Sequence, residues 1–169
     1  EWAKKQFWTD DLIPNEQSRE RVEYVKNNGV CVYGNVNFVP EEDGPAIRAL
    51  YDGEVRRAES ILLKLWKKVE QLDLAEKTLI VFCADHGEEL LEHGFIGHAS
   101  TAKRAQMFDE IIHVPLIFYL PGVIPKGVAI GEQVRTIDIM PTIFDLLGME
   151  IPPYMQGQSL LPLMTETNR

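Results

Sequence analysis

Asp85, His86, Gly87, Glu88, Glu89, Glu92, His93, Gly94 and His98 bring together the side chains of this 169-residue chain that can do chemistry. Three of its four histidines fall between positions 86 and 98. Carboxylate oxygens and imidazole nitrogens are ligands for divalent cations, and an imidazole can also take or give a proton near neutral pH. Asp85 and His86 directly follow Leu79 to Ala84 (LIVFCA), a run with strand composition. In open α/β sheets, ligands bind beyond the carboxyl ends of the strands. An Asp and a His side by side can turn to one cation where the backbone leaves strand geometry, and Gly87 permits that turn. An Asp-led site suits Ca²⁺, Mg²⁺ or Mn²⁺, and an imidazole also admits Zn²⁺. By itself the triplet reads first as an Asx-type turn beside a solvated imidazole, and what surrounds it makes the case for a site.

Several elements must position this cluster. Asn15 to Asn28 reads as a charged helix with Val22 and Val25 facing inward and Gly29 as its stop. Val30 to Val39 has strand composition, with Gly34 as a bend. Pro45 to Leu72 carries apolar residues at three- and four-residue steps, from Ile47 and Leu50 through Ile61, Leu62 and Leu65 to Val69 and Leu72. That spacing predicts one long amphipathic helix, with Asp43 as its cap. Leu79 to Ala84 has no polar alternation, which predicts a strand buried on both faces of a layered α/β sheet. His113 to Leu120 reads as a second such strand, with Pro115 at an edge or among its first residues. Gly127 to Arg135 is expected to be a shorter strand. Pro141 to Leu147 is expected to be a helix ended by Gly148, with Asp138 as a cap before it. A turn is expected at Ser159 to Leu163.

Composition narrows the function classes. Apolar residues make up 45% and charged residues 25%, which are globular values. The formal charge is −9, so a basic phosphate-binding face is absent and nucleic acid is not an expected partner. No apolar run reaches the roughly 20 residues that span a bilayer. Cys31 and Cys83 form no CxxC and read as buried free thiols. The chain opens on Glu1 with no visible signal peptide, which reads as a processed or truncated start.

The segment TLIVFCADHGEELLEHGFIGH resembles the second-half signature of the sulfatases, in the alkaline-phosphatase-like superfamily. Four further blocks agree in order and spacing: YDGEVRRAES from Tyr51, FDEIIHVPLIFYLPG from Phe108, VRTIDIMPTIFDLLGMEIP from Val134 and QGQSLLPLM from Gln156. The resemblance covers Tyr51 to Met164. It implies a layered αβα sandwich, here a partial alkaline-phosphatase-like domain with a mixed or mostly parallel sheet. It implies that Asp85 and His86 are two ligands of a divalent metal, usually calcium in sulfatases. His98 stands 13 residues after Asp85, where many sulfatases place a lysine that contacts the sulfate and the leaving oxygen. The resemblance therefore implies a role for His98 at the transferring group. His93 is expected to shape the loop, His113 to be a satisfied histidine at a strand start, and Asp109 and Glu110 to be solvated or salt-bridged. Trp2, Phe7 and Trp8 are expected to be core or interface anchors.

The family's nucleophile, a Cys or Ser within C/S-x-P/A-x-R that matures to formylglycine, has no counterpart here. Cys31 is followed by VYGN, Cys83 by ADHG, and no serine fits. The family's first metal-binding Asp pair also has none, since Asp10 and Asp11 do not follow an apolar strand. The chain therefore reads as a single domain over 1–169, the C-terminal portion of a sulfatase-like catalytic domain, with 45–164 family-like and 1–44 unassigned. The formylglycine and the remaining metal ligands are expected in a missing N-terminal half. The implied activity is sulfuric ester hydrolysis on a sulfated small molecule or glycan, with the isolated chain inactive. Two alternatives stand beside it. One is a metal-dependent phosphate or phosphonate ester hydrolase, or a phospho-group transferase, of the same superfamily. The other is a non-catalytic α/β binding or structural module. A periplasmic, secreted or lysosomal setting would follow from the family, and a cytoplasmic one stays open.

Overall fold

The computed structural model describes residues 9–28, 39–94, 96–98 and 107–165. The strand expected at Val30 to Val39, except its last residue, and the expectations for Gly29, Cys31, Trp2, Phe7 and Trp8 lie outside the described residues. The chain divides into two compact units. The first takes the described residues of Glu1–Leu72 and Phe82–Ile117, and the second those of Asp73–Val81 and Phe118–Arg169.

The first unit begins with helix α1, Glu16–Asn28. Asn15 caps it, since its Oδ1 accepts the Ser18 backbone N–H at 2.8 Å. Val22 is buried, as its helical position predicts, and Val25 is half-buried. Helix α2 follows at Gly44–Gln71, with Pro45 in its first turn. Its expected cap is a different interaction. Asp43 ends a short 3-10 turn, Glu41–Asp43, and makes no side-chain cap bond. It is fully buried, and Arg21 of α1 grips both its oxygens, Nε at 2.6 Å and Nη2 at 3.1 Å. A buried carboxylate is tolerable only with such a partner, and the bidentate fork supplies it. The apolar stripe of α2 is buried near its start, and farther along Trp66 and Val69 are half-buried. Ala46, Ile47 and Ala49 are buried, whereas Ile61, Leu62 and Leu65 are exposed.

Strand β1 is Ile80–Cys83. Two short strands, β2 at Glu89–Leu90 and β3 at Ile96–Gly97, pair antiparallel. One helical turn, α3 at Asp109–Ile112, precedes strand β4 at Leu116–Tyr119. β1 and β4 form a two-stranded sheet, and Pro115 stands just before β4, where its missing N–H removes no ladder bond. The full burial expected of β1 is not observed. Ile80, Val81 and Cys83 are half-buried and Phe82 is 36% exposed, because only one other strand joins the sheet among the described residues.

The second unit holds helix α4, Ile139–Leu146, and helix α5, Leu161–Thr165, which occupies the expected closing turn. Gly148 ends the segment at φ 65°, the left-handed value that glycine adopts without strain. The strand expected at Gly127 to Arg135 is a loop: Gly127 turns at φ 71° and no ladder partner lies beside it among the described residues. Asp138, buried in the 3-10 turn Thr136–Asp138, reaches back to the Arg135 backbone N–H at 2.8 Å. It also accepts from the Arg135 guanidinium at 3.0 Å and from the Gln158 N–H at 2.9 Å. Gly157 passes so close that a Cβ there would stand 2.1 Å from the Ile137 carbonyl oxygen. Asp138 thus ties the Gln158 loop to the start of α4.

Burial pushes the Asp138 carboxyl up, but its bonds from Gln158 and Arg135 outweigh burial and hold it below the usual range. Its folded pKa is below its unfolded value of about 3.9. The stabilisation is therefore present above pH ~4 and is lost as pH falls through the folded value. Asp138→Asn is expected to lower stability at neutral pH and to flatten the loss of thermal stability on the acid side, measured by calorimetry from pH 7 to pH 2.

Candidate functional site

The chain leaves strand geometry after β1. Asp85 Oδ1 accepts the His86 backbone N–H at 3.0 Å, and its side chain is 90% exposed. Its other oxygen, Oδ2, lies 3.8 Å from His86 Nε2. His86 Nδ1 is 2.7 Å from the Gly87 carbonyl oxygen. A carbonyl only accepts, so Nδ1 donates and the neutral ring carries its lone pair on Nε2. Gly87 N–H bonds the Ile111 carbonyl at 2.7 Å, and a Cβ on Gly87 would stand 1.9 Å from the Glu110 carbonyl oxygen. Only glycine permits this approach of the loop to α3.

The following residues fold back as a hairpin. Glu89 pairs with Gly97 and Leu90 with Ile96. Leu91 at φ 79° and Gly94 at φ 81° turn the chain between the strands. Continuing that register places Glu88 opposite His98, and the two side chains meet: His98 Nδ1 is 3.2 Å from Glu88 Oε2. The His98 ring stacks on the His86 ring, with centroids 4.0 Å apart and planes 30° apart. His86, Glu88 and His98 form a group whose ligand atoms all lie within 4.8 Å of one another. Sequence reasoning gave roles to the two histidines and counted Glu88 in the cluster without one. The signal was its position between them, two residues after His86 on the same face of an extended segment.

The opposite face of the hairpin is structural. Glu89 is fully buried, and its Oε1 accepts the His93 backbone N–H at 2.9 Å and faces His93 Nδ1 at 3.3 Å. The His93 ring stacks on Phe108 at 3.6 Å, and Glu110 Oε2 is 3.9 Å from its Nδ1. Asp109 and Glu110 are exposed, and so is His113. Arg48 of α2 binds Glu92 Oε1 at 2.5 Å, which fastens the hairpin tip to the helix. Burial pushes the Glu92 carboxyl up, but the bonds from Arg48 and from backbone N–H groups prevail and hold it below the usual range.

A sulfatase family profile matches residues 4–149. The chain belongs to the sulfatase family. Human arylsulfatase K is 35% identical over 121 residues, which is 72% of this chain and 21% of that protein. The chain thus spans about a fifth of the length of that sulfatase. Among solved structures, the phosphonate monoester hydrolase of Silicibacter pomeroyi superposes with a TM-score of 0.69 at 27% identity, over 90% of this chain and 30% of that one. A protein solved with its substrate D-glucosamine-2-N,6-O-disulfate superposes at 0.66 and 24% identity, over 86% and 27%. These likenesses show the partial α/β, alkaline-phosphatase-like fold.

A sulfatase implies a divalent metal, and this loop offers donors that suit one. His86 keeps Nδ1 on a carbonyl, the outer contact that metal-bound imidazoles show, and turns Nε2 to the side of Asp85 Oδ2. Gly87→Ala is expected to force this loop off α3 and to destabilise the protein by roughly 1–3 kcal/mol. The check is denaturant unfolding together with loss of the ring-current shifts that the stacked His86 and His98 give each other in NMR spectra.

Proposed function

We propose that residues 1–169 are the C-terminal portion of a single sulfatase catalytic domain, family-like over 45–164. The whole protein then hydrolyses a sulfate ester of a small molecule or glycan. The observation that supports this best is the convergence of His86, Glu88 and His98, with Asp85 Oδ2 3.8 Å from His86 Nε2, in a chain of this family. Asp85 Oδ2 and His86 Nε2, 3.8 Å apart, would hold part of the shell of a divalent cation, Ca²⁺ in the first instance. Mg²⁺, Mn²⁺ and Zn²⁺ remain chemically admissible, since imidazole nitrogen suits the transition metals. Such an ion supplies positive charge where negative charge develops on the sulfuryl oxygens.

The nucleophile, a formylglycine in this family, and the remaining ligands belong to the N-terminal half. His98 stacks on the His86 ring. A histidine there can give a hydrogen bond to the sulfuryl group or a proton to the departing alcohol, a contribution typically worth ~10²–10⁴ in rate. A second reading has its own support in the 27% identity to the phosphonate monoester hydrolase: a phosphonate or phosphate ester in place of the sulfate.

Two experiments test this. The full-length protein is assayed with nitrophenyl and alkyl sulfates and with a nitrophenyl phosphonate monoester. The expected result is a higher kcat/KM on sulfate, and His98→Ala lowering kcat more for the alkyl ester, whose leaving group needs the proton. Preference for the phosphonate selects the second reading, and turnover of neither sinks both. For the metal, calorimetry on the 169-residue chain is expected to show weak divalent-cation binding that Asp85→Ala removes. Tight binding indifferent to Asp85→Ala would overturn that assignment.

A further inference from the structure

Glu88 is absorbed by none of the roles above, yet it is the residue that the hairpin sets against His98. The β2–β3 register makes them the next cross-strand pair beyond Glu89 and Gly97, so their side chains stand on one face. A slip of one residue would turn His98 to the other face. An ionised carboxylate only accepts, so with Glu88 ionised the donor across the 3.2 Å contact is His98 Nδ1. Glu88 is 16% exposed, and its second oxygen, Oε1, is buried without a hydrogen-bond partner among the described residues. Glu89, on the opposite face, likewise leaves Oε2 buried without a partner among the described residues. Glu92, which holds this loop, satisfies both its oxygens: Oε1 takes Arg48 and Oε2 the Leu90 N–H.

We propose that Glu88 is a positioning residue for His98: it fixes the proton on Nδ1, fixes the ring's direction against the His86 ring, and so makes Nε2 the nitrogen that works at the leaving group. A histidine whose one nitrogen is held by a carboxylate presents the other in a defined tautomer and orientation, and that pairing recurs in unrelated hydrolases. The reading of Nε2 as the working nitrogen rests on the sulfatase proposal, whereas the tautomer does not.

The test therefore has two arms. Nitrogen NMR of the imidazole rings in the 169-residue chain reads the tautomer directly. His98 is expected to carry its proton on Nδ1 in the unmodified chain and to lose that preference in Glu88→Ala. Glu88→Gln, which keeps the shape and one accepting oxygen, is expected to retain it. A proton on Nε2 of His98 in the unmodified chain overturns the proposal, whatever the variants do. In the full-length protein, Glu88→Ala is expected to lower kcat on an alkyl sulfate about 10–100-fold, the usual effect of losing a group that orients an active imidazole. KM should be unchanged, the loss smaller on nitrophenyl sulfate, and part of it restored in Glu88→Gln. Added to His98→Ala, Glu88→Ala is expected to cause no further loss, since the two act as one unit. Equal further loss in that background would show that Glu88 acts elsewhere and overturn the positioning role. If the unmodified full-length protein turns over no sulfate ester, the sulfatase proposal fails, and the NMR arm still decides the tautomer.

Discussion

The antiparallel register of Glu89 with Gly97 is the constraint on which the candidate site depends. Those two short strands offer few ladder bonds, so the pairing needs help from outside the hairpin. Two contacts supply it on different sides. The Gly87 N–H bond to Ile111 anchors the first strand at its entry, and the Arg48–Glu92 pair anchors the tip to α2. With both ends held, period-2 alternation sorts the side chains. Glu88 and His98 fall on one face, while Glu89 falls on the other, where it is fully buried beside His93. A face that carries His98 and a face packed on His93 thus come from one dipeptide of adjacent glutamates.

The two buried carboxylates of the first unit show different physics. Asp43 receives a bidentate arginine and both its oxygens are satisfied. Glu89 uses Oε1 on His93 and leaves Oε2 without a partner among the described residues. The first arrangement is what burial of a charge requires for stability. The second, like that of Glu88, lies within the loop that carries the histidines. In the second unit, Asp138 repeats the Asp43 pattern: a buried carboxylate gathers an arginine and backbone N–H groups from two segments. Asp43, Glu92 and Asp138 thus act as clamps, and among the described residues the buried carboxylate oxygens without a partner belong to Glu88 and Glu89.

Much of the local structure was legible from short-range signals. The apolar periodicity of α2, proline in its first turn and the left-handed glycine at 148 all depend on residues within a turn or two of each other. The composition of LIVFCA placed β1, and that of HVPLIFYL placed β4, which begins at Leu116 rather than at His113. The errors came where a partner was needed. Gly127 to Arg135 has strand composition, but no ladder partner lies beside it among the described residues. Asp43 has the right spacing for a cap, yet Arg21 competes for the same oxygens from 22 residues away and wins through charge and the bidentate fork.

The sequence by itself determined that the candidate ligands and proton donors cluster between Asp85 and His98, that this cluster follows a strand, and that the surrounding blocks are those of a sulfatase. These depend on residue type and spacing, which local physics reads directly. Only the tertiary structure decided that Glu88 rather than its neighbour Glu89 meets His98, that the His86 and His98 rings stack, and that Gly87 must lack a side chain. Each of those turns on a strand register or on the approach of a distant backbone. One residue of slip exchanges the faces of a strand, and nothing in the order GEELLEHG distinguishes one register from the other until the hairpin closes on α2 and α3.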